Sequence, residues 1–96
     1  MRFEIILAEE AVEDRKRLQA HHKAAADEAM EVHLRHEPAK VSKSRIKKLR
    51  GLRHPQYRLR VDDLRVFYDI LGEEVHVLGI VLKAGAEEWL KTVGES

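Results

Sequence analysis

Residues 57–71 read YRLRVDDLRVFYDIL and carry Arg58, Arg60 and Arg65. A guanidinium is a permanent cation whose planar fork of N–H donors fits a phosphate, so such residues bind and stabilise negative charge. They are poor proton acceptors, because arginine ionises only above roughly pH 12. Any proton-transfer chemistry beside them would need another group. His54 belongs to the residue type suited to that task near neutrality. Lys83 is an amine that cationic neighbours could ready for it. The plain alternative for the arginines is a solvated surface, ion-paired to Asp62, Asp63 or Asp69. For His54 the alternative is a turn residue.

What positions these side chains is a strand periodicity of two. Tyr57, Leu59 and Val61 point one way, and Arg58 and Arg60 the other. In the next segment Leu64, Val66, Tyr68 and Ile70 share a face, while Arg65, Phe67 and Asp69 share the opposite one. The segments 57–61, 64–71 and 74–82 read as consecutive strands, and VDDL and LGEE as tight hairpin connections. They predict an antiparallel meander with one apolar and one cationic face.

Upstream, RFEIIL at residues 2–7 reads as a first strand. The period changes at Ala8, where Glu9, Glu10, Glu13 and Asp14 crowd the first turns of a helix and favour its positive end. AHHK at 20–23 reads as a break. A second helix is expected from about Ala24 to His36, stopped by Pro38. Residues 39–56 form a connector in which SRIKKLRGL holds a helical turn or a short extended piece. AGAEEWLKTV at 84–93 reads as a C-terminal helix. The fold class is therefore α+β, in the order β-α-α-β-β-β-α. The first strand joins an antiparallel sheet, a helical hairpin covers the apolar face, and the arginine face is left open.

The net charge of +1 conceals an uneven distribution. Nine basic residues and no acid lie between Pro38 and Val61. They are Lys40, Lys43, Arg45, Lys47, Lys48, Arg50, Arg53, Arg58 and Arg60, half of the 18 Lys and Arg in the chain. Such a block builds a local positive field and suits phosphates or an acidic protein segment. At 96 residues, 44% hydrophobic and 36% charged, the composition fits one globular domain and excludes a disordered chain. With no cysteine, disulfides and thiolate metal sites are excluded. His33 and His36 share a helix face but lack further ligands at metal spacing, so no metal site is expected. The only N-terminal apolar run, FEIIL, is broken by Glu4, and no stretch has the length of a membrane span. A soluble protein of a reducing cytoplasm is expected.

From Lys48 to Lys83 the runs L-R-G, Y-R-L-R-V and R-V-F-Y resemble the RelE/ParE superfamily of toxins from type II toxin–antitoxin pairs. The element order of nearly the whole chain agrees. The resemblance implies one of two activities. RelE-type members cut messenger RNA in the ribosomal A site, and ParE-type members poison DNA gyrase. On the RelE side it implies a cofactor-free, metal-independent endoribonuclease held silent by a cognate antitoxin protein. RelE-like toxins place a lysine pair on the second strand of the chain, an arginine early on the third, an arginine just past the last strand and a tyrosine in the C-terminal segment. Here these fall on Arg58 and Arg60, on Arg65, on Ala84 with Lys83 adjacent, and near Leu90 beside Trp89. The resemblance thus implies a catalytic set of Arg58, Arg60, Arg65, Lys83 and His54. It adds an RNA-docking set of Lys43, Arg45, Lys47, Lys48, Arg50, Arg53 and Trp89. Trp89 would stack on a base or pin the last helix to the sheet. The substitutions also leave open a gyrase inhibitor, or a weakened member that binds its antitoxin without cutting.

Overall fold

The computed structural model describes residues 1–94. The elements run β1 (Glu4–Leu7), α1 (Glu9–Arg17), α2 (Ala20–Leu34), β2 (Ile46–Lys48), β3 (Tyr57–Val61), β4 (Leu64–Leu71), β5 (Glu74–Leu82) and α3 (Lys83–Gly94). The sheet has five strands in the order β1-β5-β4-β3-β2.

The meander has the expected bounds. Val61 pairs with Leu64 and Leu71 with Glu74, so each hairpin turns on two residues. Asp62 (φ 51°) and Gly72 (φ 60°) supply the left-handed backbone that such tight turns require. The sheet itself differs from a purely antiparallel one. β1 runs parallel to β5, from Glu4 beside Glu74 to Leu7 beside Val77. The two-helix excursion between β1 and the meander makes this possible, since a parallel neighbour needs a long crossover. The connector contributes a fifth strand. β2 pairs antiparallel with β3, which sets Lys47 opposite Arg58 and Lys48 opposite Tyr57.

The helices break earlier than AHHK. Leu18 and Gln19 are extended (ψ 149° and 156°), and the Leu18 N–H closes α1 by donating to the Arg15 carbonyl. Residues 20–23 therefore form the first turn of α2. Arg15 forks onto Asp27 with bonds of 2.9 and 2.6 Å, tying the two helices together. α2 stops at Leu34, short of His36, and Pro38 is buried beyond it.

The core lies between the hairpin and one sheet face. Ala11, Ala26, Ala29, Met30 and Leu34 meet Leu59, Val61, Leu64, Val66, Tyr68, Val75, Val77 and Ile80. The Tyr68 hydroxyl donates to the Pro38 carbonyl at 2.6 Å, fastening the start of the connector to β4. Among the described residues no helix is long and apolar enough to cross a membrane.

Candidate nucleic-acid interface

The opposite face of the sheet gathers the arginines. Register places Arg60 beside Arg65 and Arg58 beside Phe67, all on the face away from the helical hairpin. The ion pairs of the plain alternative, to Asp62, Asp63 or Asp69, do not form among the described residues. Arg58, Arg60 and Arg65 make no ion pair, because Asp69 is engaged by His54 and the turn aspartates pair with no cation. The Arg58 Nε is buried and has no hydrogen-bond partner. Desolvation, then the positive charges of Arg65 and Arg60, push the Arg58 guanidinium down from its ordinary value. Arg65 is pushed down by desolvation and by Arg60, with Asp63 opposing. This cluster of cations raises its own energy and is relieved by an anion.

Arg65 differs from its neighbours. It is only 7% exposed, and its Nη1 donates to the carbonyls of Asp62 (3.0 Å) and Leu64 (2.8 Å). The β3–β4 turn holds it, so it contributes field and shape as well as a donor. Arg60 is exposed and Arg58 half-buried.

The cationic face is not bare, in contrast to the expectation. α3 folds over part of it and lays Trp89 flat on Phe67, with centroids 4.7 Å apart and planes 10° apart. Gly79, which pairs with Phe67, makes room for the indole. The other side of Trp89 borders a hollow lined by Glu9, Glu10, Glu13, Asp14 and Arg17. Trp89 thus pins α3 to the sheet through Phe67, the cross-strand neighbour of Arg58, with negative charge on its flank.

The remaining expected residues divide. Lys47 shares the arginine face through its pairing with Arg58. Lys43, Lys48, Arg50 and Arg53 are exposed on the connector and its edge strand, and none is ion-paired among the described residues. Arg45 departs from the set. Its Nη1 donates to the Arg60 carbonyl at 3.3 Å, and the side chain lines the hollow against α2 beside His33. Burial, then Arg45, lowers the His33 imidazole. Lys83 begins α3, its N–H donating to the Asp63 carbonyl, which puts it at the turn that holds Arg65.

One contact on this face, between Asp69 and His54, left no mark in the sequence. Asp69 is only 5% exposed, and both its oxygens are satisfied. Oδ1 accepts from the Gln56 N–H at 2.7 Å and Oδ2 contacts His54 Nδ1 at 2.6 Å. Gln56 returns the exchange by accepting from the Ile70 N–H at 2.9 Å. The alternation had put Asp69 on the arginine face, but the turn that brings His54 to it left no periodic signal. His76 reaches this face for another reason. A bulge in β5 moves the register from Phe67–Gly79 to Tyr68–Val77, so His76 lies opposite Asp69 while Ile80 enters the core, although both have one parity. His76 Nε2 is 3.0 Å from Glu74. Among the described residues no cluster of three or more metal-ligating side chains forms.

A helical hairpin on one face of a five-stranded mixed sheet is the fold of solved RelE toxins, and this chain has that fold. It superposes on the RelB–RelE antitoxin–toxin complex from Methanococcus jannaschii with a TM-score of 0.68 at 20% identity, over 88% of this chain and 96% of that one. The RelE–RelB complex from Pyrococcus horikoshii OT3 gives 0.70 at 23%, over 86% and 97%. The toxin–antitoxin complex RelBE2 from Mycobacterium tuberculosis gives 0.72 at 22%, over 85% and 99%. No protein-family model matches the sequence, and neither does any curated protein.

Proposed function

We propose that this protein is the toxin of a type II toxin–antitoxin pair, acting as a ribosome-dependent messenger RNA endonuclease. The observation that carries the reading is the Arg58–Arg60–Arg65 cluster. Its three cations share one sheet face, have no carboxylate partner among the described residues, and leave the buried Arg58 Nε unpaired. Buried N–H donors are ordinarily satisfied, so an unpaired one beside two further cations supports a phosphate as the missing partner.

In the proposed reaction the ribose 2′-oxygen attacks the adjacent phosphorus and the bond to the 5′-oxygen breaks. The products are a 2′,3′-cyclic phosphate and a new 5′-hydroxyl end. Negative charge grows on the phosphoryl oxygens in the transition state, where preorganised cations are most effective. Arg58 and Arg60 clamp the phosphate, and the turn-held Arg65 sets the field around it. Lys83 borders the same turn and remains a secondary contact. Lys43, Lys47, Lys48, Arg50 and Arg53 dock on ribosomal RNA through its phosphates, giving a steep salt dependence. No metal or small-molecule cofactor is invoked. A cognate antitoxin silences the protein by laying an acidic, partly apolar segment over the cationic face. The similar structures are toxin–antitoxin complexes, which supports a partner of this kind.

The test is primer extension on a defined messenger in a purified translation reaction. New 5′ ends at A-site codons, formed only with ribosomes present and lost in Arg58→Leu and Arg60→Gln, are the expected result. Arg65→Ala is a poorer probe, because it also removes two hydrogen bonds of the turn. Intact messenger with normal translation would overturn the reading, and a gyrase cleavage assay would then examine the ParE-like alternative.

A further inference from the structure

We infer that His54 is the proton acceptor of this face and that the buried Asp69 carboxylate is its positioning residue, the two forming a dyad; this rests on the endonuclease reading above. A cationic clamp cannot supply the base. Arginine does not give up its proton near neutrality, yet the attacking 2′-hydroxyl must lose one.

The geometry of His54 meets the requirement. Asp69 is buried and presents only two oxygens, one of them already taken by the Gln56 N–H. The other lies 2.6 Å from His54 Nδ1. A carboxylate in that place accepts, so in the neutral ring Nδ1 carries the hydrogen and Nε2 keeps its lone pair. Nε2 makes no hydrogen bond among the described residues, and the side chain is 52% exposed. The imidazole is thus fixed at one nitrogen and open to a ligand at the other. Its anchor also shares the arginine face of β4. Asp69 follows Phe67 by two residues on the same strand face, roughly 7 Å along it, and Phe67 is paired with Arg58. In the proposed step Nε2 takes the 2′-hydroxyl proton as the oxygen–phosphorus bond forms. The imidazolium produced is stabilised by Asp69, and the departing 5′-oxygen takes up a proton from it or from water.

A merely structural His54 would hold the turn and nothing more, so the experiment separates the two roles. Cleavage of a ribosome-bound messenger is measured for the wild type, His54→Ala and Asp69→Asn. Ribosome affinity is measured alongside, and folding is checked by circular dichroism. His54→Ala is expected to lose about 10²- to 10³-fold in cleavage rate at saturating ribosome complex, with little change in affinity, and to regain activity when free imidazole is added. Asp69→Asn is expected to fall between it and the wild type. ¹⁵N spectra of the histidine ring should show the Nδ1–H form in the wild type and its loss in Asp69→Asn. Wild-type activity in His54→Ala, or a loss that imidazole does not restore in a folded protein, overturns the dyad and leaves the arginine clamp standing. If the wild type itself cuts nothing, the endonuclease reading fails, and the catalytic role of His54 fails with it.

Discussion

Trp89 lies flat on Phe67, ring centroids 4.7 Å apart, and through that stack α3 is pinned across the cationic face of the sheet. The stack depends on the absence of a side chain at position 79. A Cβ on Gly79 would come within 2.7 Å of the indole Cε2, well inside contact distance.

Gly79→Ala should therefore displace Trp89 or strain the strand. Overpacking of this kind costs about 1–3 kcal/mol. The expected outcome is a lowered melting temperature with red-shifted tryptophan emission. Adding Trp89→Leu should recover part of the loss. An unchanged melting curve in the single variant would contradict this packing.

Arg58 illustrates a conflict between binding and stability. Its guanidinium is crowded by two cations and partly desolvated, with Nε unpaired. Arg58→Leu should raise the melting temperature while abolishing phosphate binding, the usual signature of a site retained for function. Inorganic phosphate at ten times its dissociation constant should stabilise the wild type by about 1.4 kcal/mol and leave Arg58→Leu unmoved. Thermal melts with and without phosphate are the check, and equal shifts in both proteins would remove Arg58 from the site.

Tyr68→Phe probes the fastening of the connector. Tyr68 is fully buried, and its hydroxyl is the donor to the Pro38 carbonyl. Burial, then Tyr57, raises the hydroxyl far above its ordinary value, so it stays protonated and donating. Its loss leaves a buried carbonyl without this donor, at about 1–3 kcal/mol. Urea unfolding should show that loss, with faster amide exchange in the residues following Pro38.

Stability should fall in acid partly through Asp27. Hydrogen bonds from Arg15 hold the Asp27 carboxyl below its ordinary 3.8, against a smaller opposing effect of burial. A lowered folded value means that the contribution is present above the unfolded value and is lost as pH falls through the folded one. The pair is well exposed, so the effect is modest. Asp27→Asn should melt below the wild type at neutral pH, and the two curves should converge below pH 3.8. Parallel curves down to strongly acid pH would show that the pair contributes nothing.

The sequence alone determined the meander, because strand periodicity and two-residue turns are local properties. Tyr57–Val61, Leu64–Leu71 and Glu74–Leu82 stand where alternation put them. Alternation likewise assigned Arg58, Arg60, Arg65 and Asp69 to one face. Tertiary structure decided what local pattern cannot encode. The parallel pairing of β1 with β5 depends on where a two-helix excursion returns, and β2 becomes a strand only because β3 offers it an edge. The bulge in β5 inverted the parity of His76 without a sequence mark. Most of all, the contact of His54 with Asp69 joins residues 15 apart through a turn. The period of a strand tells which way a side chain points, whereas a partner is chosen by chain segments that meet only once the fold has closed.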